Sequence, residues 1–443
     1  MKIIEDFHQA RALLTRESPF ALSLPSPRAE DETPEDKLST DQIVRRIITD
    51  VRHRGDKAVL SYTEKLDRVR LSSLEVTQNE ISAAYQNLDK KLIEALELAT
   101  SRIHEFHSVC KQRLESSFLS HGLGRQVSPL HRVGIYVPGG TAAYPSTVLM
   151  TAVPARVAGV NEIIVATPPQ EDGTIWAPTL AAADIAKVNR VFKIGGAQAI
   201  AALAFGTETV PKVDKICGPG NAFVVAAKRM VYGIVGIESL PGPSEVVIVA
   251  DDTANASFCA ADLIAQAEHD PLASAILITT SSELAKNVDS EVELQLGKLE
   301  RRTTAAQAIN SSGMIILVDS PDDAIELVNL YAPEHVSLML RNASAYVEKI
   351  RNAGCIFVGG SSPVALGDYV AGPSHVLPTG GSARFSSPLN VEDFLKVANI
   401  VALNETDARE LGQAAITIAE AEGLKGHAQA IRARLRTTEE ENK

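Results

Sequence analysis

Gln266 and His269 stand three residues apart at the end of a run, 254–267, that reads as a helix with apolar Phe258, Ala261, Leu263 and Ile264. On a helix this spacing puts both side chains on one face, where an amide oxygen and an imidazole can hold a metal. Pro271 stops the helix just beyond them. The alternative use of such a pair is a solvated helix end. Further along stand Glu334-His335, Asp368, His375, Glu422 and His427. Pro333 breaks a helix and delivers Glu334 and His335 at the start of the next strand. If the chain is extended there, the two side chains point opposite ways and one is structural. Held in a turn, they offer two acid–base groups, Glu to activate water and His to take an alcohol proton. Asp368 suits a metal ligand and His375 a substrate contact, against turn capping and loop hydrogen bonding. His427 is either a surface residue or a ligand reaching away from its own core. Gln266, His269, Asp368 and His427 together form an N/O donor set with one formal negative charge, suited to zinc or a similar ion with positions open for substrate.

The elements that must position these groups fall into two series. From Val127, short apolar strands (133–137, 163–166, 191–194, 215–217) alternate with Ala-rich helices. After a Pro/Gly bridge at 237–243, a second alternating series follows (246–249, 275–278, 314–318, 336–339, 355–358). Such alternation predicts parallel sheets covered by helices, and two lobes of this kind bind ligands between them. Ahead of them, Ile43, Val44, Ile47, Ile48 and Val51 recur at helical spacing. Thr77-x-x-Glu80 reads as a capping box opening one long helix through Ile103, on which His104 and His107 read as surface or packing residues. The chain opens with a short helical stretch, followed by a Ser/Pro segment and an acidic run, 30–36. Residues 360–390 read as a long functional loop. From Val391 the pattern is helical, with Gly423 as a helix C-cap and a charged tail.

Three glycine turns sit between strand and helix in the first series: Gly139-Gly140, Gly195-Gly196 and Gly218-Pro-Gly220-Asn221. Bare N–H groups at helix N-termini attract phosphate or other polar groups, and successive strand ends converge on one edge. None is a dinucleotide fingerprint, since Phe223 occupies the third glycine position of the closest match. A net charge of −12 excludes nucleic acid and anionic membrane as main partners. No signal peptide or membrane span is legible, so the cytoplasm is the expected compartment. Cys110, Cys217, Cys259 and Cys355 are scattered, reading as reduced and buried; any metal must use N and O ligands.

The ordered set GIYVPGG, IGGAQAIAALAFGT, GPGNAFV, LPGPSE, QAEHDP, YAPEH, GDYVAGPSHVLPT and EGLKGH resembles the histidinol dehydrogenases, over nearly the whole chain. The resemblance implies the last two oxidations of histidine biosynthesis, from L-histidinol through the aldehyde to L-histidine, with one zinc per subunit and NAD. It implies that Gln266, His269 and Asp368 bind zinc, with His427 completing the site from the partner subunit of a homodimer. Glu334 would activate water and His335 accept the hydroxyl proton. Tyr136, Gln198 and Asn221 fall at NAD contacts; Ser244, His375 and Glu422 fall at substrate contacts, which the metal ligands and His335 join. The implied fold is α/β: two incomplete Rossmann-like doubly wound modules, a small N-terminal arm (1–40) and a C-terminal helical dimerisation segment (389–443). Residues 133–246 would be an inserted NAD-side domain, and 41–132 with 247–388 a larger domain carrying most metal and catalytic residues. A related zinc and NAD dehydrogenase of another small polar alcohol, such as a sulfonated diol, is the alternative. A zinc hydrolase is disfavoured by the absence of H-E-x-x-H.

Overall fold

The structure, a computed structural model, describes residues 1–16, 38–114, 116–139, 142–299 and 302–440. The Ser/Pro segment and acidic run of the expected arm, Gly140 and the last three residues of the tail lie outside the described residues. The chain divides into one unit of Met1–Lys111 and Leu130–Phe394 and another of Gln112–Pro129 and Leu395–Lys443.

The first unit is α/β, with two all-parallel sheets. One runs in the order Arg190–Lys193, Glu162–Thr167, Arg132–Tyr136, Lys215–Cys217, Gly236–Ile237. The other runs Lys2–Ile4, Met314–Leu317, Ser274–Thr279, Glu245–Ala250, His335–Met339, Cys355–Val358. In both, the first strand of the series lies centrally, later strands being added outward on one side and then on the other. This is doubly wound order, with its switch point beside that first strand. Residues Glu245–Ala250 show why the sequence folds so. Val246, Ile248 and Ala250 face one core while Val247 and Val249 face another, so every position is buried. Burying each branched side chain is worth roughly 1.5–3 kcal/mol before chain entropy. The five-stranded sheet packs Ile164, Phe192 and Ile216 against helices Thr40–Arg54 and Gly196–Phe205.

The second unit has an antiparallel sheet, ordered Leu395–Val401, Leu123–Pro129, Phe118–Ser120. Its helices Glu405–Ala421 and Lys425–Glu440 pack around Ile416, Ala419 and Ala428. The turn between them is tied by the Leu424 N–H donating to the Ala419 carbonyl, with Gly423 at φ 73°.

Several expectations are corrected. The chain opens as a strand before its first helix, Phe7–Leu14, because Lys2–Ile4 finds a parallel partner in Met314–Leu317. The stretch after Thr77 is two helices, Gln78–Gln86 and Lys90–Arg113; the capping box is present, but the Asp89 carboxylate accepts from the Lys91 N–H and starts a new helix. The region from Val391 makes only a short 3-10 turn, Val391–Phe394, before a strand, and is α-helical from Glu405. The segment Leu395–Val401 pairs with Leu123–Pro129, an edge available only in the folded chain. The long loop at 360–390 contains the short helix Val364–Tyr369, which carries Asp368.

Candidate active site

At the carboxyl edge of the five-stranded sheet the three glycine turns come together. A side-chain carbon on Gly139 would lie 2.6 Å from Pro168, and one on Gly195 2.7 Å from the same proline. One on Gly218, at φ 115°, would lie 2.0 Å from the Tyr136 carbonyl oxygen. Tyr136 and Gly218 end the two strands that flank the switch point, where α/β sheets bind ligands. Gly218 is held from both sides: its N–H donates to Glu238 at 2.7 Å, and its carbonyl accepts from Lys228 at 3.0 Å. Lys228 and Glu238 form a buried ion pair at 2.7 Å.

The Tyr136 hydroxyl accepts from the Gly196 N–H at 3.0 Å, leaving its own hydrogen free to donate. Burial pushes the phenol up to about 12. Gln198 is 1% exposed, and neither end of its amide has a hydrogen-bond partner. Asn221 is exposed and caps helix Ala222–Val231 through its Oδ1, accepting from the Phe223 and Val224 N–H groups. Cys217 is buried, and burial raises its thiol well above the ordinary range, so it is a packing residue and not a nucleophile.

The acid–base groups lie at the opposite edge of the other sheet, where strands Glu245–Ala250 and His335–Met339 begin. Glu334 and His335 do not diverge: both reach the backbone of Glu245. The Glu245 N–H donates to Glu334 Oε2 at 2.9 Å, and the Glu245 carbonyl accepts from His335 Nδ1 at 2.9 Å. A carbonyl only accepts, so Nδ1 carries a proton and points at Glu245, while Nε2 faces the other way, toward Asp368. Nε2 has no hydrogen-bond partner and lies 3.6 Å from Asp368 Oδ1. Burial pulls the His335 imidazole down, but the charges of Glu334 and Asp368 outweigh it and raise it to about 9. Burial is likewise the main influence on Glu334, pushing its carboxyl up to about 7.

Glu245 itself is buried, and its carboxylate is anchored by Arg16 at 2.7 Å and by the Gly380 N–H at 3.1 Å. The Arg16 guanidinium lies 3.5 Å above the Tyr331 ring. Neither Glu245 nor Arg16 stood out chemically in the sequence. The one available signal was an acid heading the otherwise apolar strand Glu245–Ala250.

Asp368 draws the remaining groups together. Burial would raise its carboxyl, but His335, His375 and His269 around it hold it below the usual range. His375 Nδ1 donates to the Asp368 carbonyl at 2.8 Å, and burial holds this imidazole below its ordinary range. Cys355, Phe357, Gly367 and Leu377 line a small pocket together with His335, Asp368 and His375. Gln266 is buried near the end of helix Ala256–Ala267. His269 falls past that helix, a correction to the shared helical face: Glu268 is the cap residue and the His269 N–H turns back to the Gln266 carbonyl at 3.3 Å. Ser244 is half-buried immediately before Glu245. Glu422 is exposed at the cap of helix Glu405–Ala421, and His427 is exposed in the first turn of helix Lys425–Glu440.

A divalent metal fits this donor set. Among the described residues no three His, Cys, Asp or Glu side chains gather as a metal cluster. The first unit instead offers a carboxylate, an imidazole and the Gln266 amide, an N/O set that leaves coordination positions for ligands from elsewhere.

A family profile described as histidinol dehydrogenase matches residues 30–435. The chain belongs to the histidinol dehydrogenase family. It is an oxidoreductase. The histidinol dehydrogenase of Dehalococcoides mccartyi (strain CBDB1) is 52% identical over 442 residues, spanning 98% of this chain and 100% of that one. That of Deinococcus radiodurans is 49% identical over 438 residues, spanning 97% and 98%. The crystal structure of histidinol dehydrogenase from Elizabethkingia anophelis aligns with a TM-score of 0.89 and 37% identity, covering 99% of this chain and 98% of that chain. Among the described residues no helix is long and apolar enough to cross a membrane.

Proposed function

We propose that this chain oxidises L-histidinol to L-histidine in two NAD-dependent steps, closing histidine biosynthesis in the cytoplasm. The observation that supports it best is the Glu334–His335 pair: two acid–base groups of different character, both held by the backbone of Glu245, with His335 lining a pocket beside Asp368. Gln266, His269 and Asp368 would hold zinc, with His427 of the partner subunit as fourth ligand in a homodimer. Ser244, His375 and Glu422 would contact substrate, and Tyr136, Gln198 and Asn221 the cofactor. The same reading assigns 133–246 to the cofactor side, 41–132 with 247–388 to metal and catalysis, and 389–443 to dimerisation.

Zinc there would supply a Lewis-acid anchor for substrate nitrogens and offset the Asp368 charge that otherwise keeps His335 protonated, while NAD supplies the hydride acceptor. In the first step His335 Nε2 takes the alcohol proton as hydride departs, leaving the aldehyde. The imidazolium is stabilised by Glu334, 3.6 Å from Nδ1, and by Asp368, 3.6 Å from Nε2. In the second step Glu334 takes a proton from water as it adds to the aldehyde carbon. The hydrate then loses its own hydride and proton to give the acid.

The test is NADH formed per L-histidinol consumed, with chelator and with zinc added back. Two NADH, lost on chelation and restored by zinc, are expected; one NADH would refute the four-electron oxidation. For the shared site, D368A and H427A subunits, each inactive alone, are mixed. Activity should return through dimers in which one site keeps every ligand. No recovery after demonstrated subunit exchange would rule that out.

A further inference from the structure

Beside the Gly195–Gly196 turn sits a carboxylate that the sequence did not single out. Asp67 ends the π-helical turn Thr63–Asp67, and Arg68 follows it at φ 60°. Its Oδ2 is buried with no hydrogen-bond partner. Oδ1 would lie 3.3 Å from a side-chain carbon on Gly195, so the carboxylate lies against the bare turn. The cations on the adjacent strand are already committed, Lys193 to Glu80 at 2.5 Å and Arg190 to Glu75 at 2.7 Å. Burial accordingly pushes the Asp67 carboxyl up to about 6.

The same turn gathers two further unsatisfied groups. The Gly196 N–H is bonded to the Tyr136 hydroxyl, whose hydrogen remains free. A side-chain carbon on Gly196 would lie 2.7 Å from Gln198 Oε1, and the Gln198 amide is buried with neither end paired. A buried polar group without a partner costs free energy that a ligand can recover. Three such groups around one glycine turn point to a ligand that both donates and accepts. Phosphate is the wrong match, because the carboxylate repels it. A vicinal diol fits: its hydroxyls donate to Asp67 and accept from Tyr136 and Gln198. Carboxylate–ribose bonds near a strand's carboxyl end recur in dinucleotide-binding sheets.

We propose that Asp67, with Tyr136 and Gln198, binds a ribose diol of the dinucleotide, Asp67 being the acceptor that makes the site prefer sugar to phosphate. This rests on the assignment of NAD to the carboxyl edge of the five-stranded sheet. The two riboses of NAD share this chemistry, and NADP separates them, since its extra phosphate sits on the adenosine ribose.

The experiment is calorimetric titration of NAD and NADP into the zinc-loaded, full-length wild type and Asp67→Asn, with L-histidinol binding and thermal midpoint measured alongside. The variant should bind NAD about 10-fold to 100-fold more weakly, the range for a hydrogen bond to a charged group. Its midpoint should not fall and its L-histidinol affinity should hold, because the native carboxylate makes no bond that supports the fold. If Asp67 meets the adenosine ribose, the wild type rejects NADP and the variant narrows the gap. If it meets the nicotinamide ribose, both dinucleotides weaken in parallel; either pattern supports the proposal. Unchanged NAD affinity in Asp67→Asn would overturn it while leaving the cofactor assignment standing. Failure of the wild type to bind NAD would overturn that assignment, and the proposal with it.

Discussion

The two parallel sheets of the first unit share a strand order but present their chemistry at opposite edges. In the five-stranded sheet the polar groups gather where strands end, at Tyr136, Gly196 and Gly218. In the six-stranded sheet they gather where strands begin, at Glu245 and His335, with Gln266 near the far end of the returning helix. The difference has an electrostatic meaning. A sheet's carboxyl edge collects helix N-termini and their free N–H groups, which favour an anionic dinucleotide. The amino edge collects helix C-termini, whose free carbonyls favour cations, the proper surroundings for a metal and an amine-bearing substrate. The Ser374 hydroxyl, one residue before His375, donates at 3.0 Å to the Met150 carbonyl of helix Pro145–Ala158, so the amino-edge loop is pinned to the other sheet's covering layer.

If the edges divide the labour in this way, damage at one should spare the other. The largest effect is expected at His335. His335→Ala should lower kcat by about 10²–10⁴-fold, the usual contribution of a positioned base, while NAD binding by calorimetry stays within about twofold. A comparable loss of NAD affinity would break the division. Chelation should abolish L-histidinol binding and leave NAD binding intact, with zinc restoring the former. Lys228→Met should act in the opposite sense. It strands Glu238 in the interior, costing about 3–5 kcal/mol in urea unfolding, and frees the Gly218 turn, raising the KM for NAD more than that for L-histidinol.

The smallest effect is a pH dependence at Asp67. A carboxyl raised to about 6 in the folded chain binds more protons than the unfolded one, whose ordinary value is about 4. It therefore withdraws stability as pH rises from about 4 through 6. Asp67→Asn removes this loss, so its thermal midpoint should match the wild type near pH 4 and exceed it by pH 7. A constant difference across that range would show that the carboxyl titrates alike in the folded and unfolded chain, against its burial without a partner.

The chemistry-bearing residues were legible because their types are restrictive: Gln266, His269, Glu334, His335 and Asp368 can each do few things, and their order matched a family. The alternation of apolar strands with Ala-rich helices likewise announced parallel sheets. The rest depended on contacts the linear pattern does not encode. Leu395–Val401 is a strand because of a partner far back in the chain. Glu245 holds Glu334 and His335 through its backbone N–H and carbonyl, which nearly every residue possesses. Asp67 resembles any acid in a polar stretch until folding brings it against Gly195.

Lys2–Ile4 and Arg16 also bear on when the first unit can be completed. Lys2–Ile4 pairs with Met314–Leu317, and Arg16 anchors Glu245, whose backbone holds Glu334 and His335. At about 5–20 residues per second of synthesis, Lys2–Ile4 is made tens of seconds before its partner strand exists. Throughout that interval the ribosome-bound chain carries an unpaired apolar edge and an arginine without its glutamate. The six-stranded sheet is thus closed by residues made long before the strand they pair with.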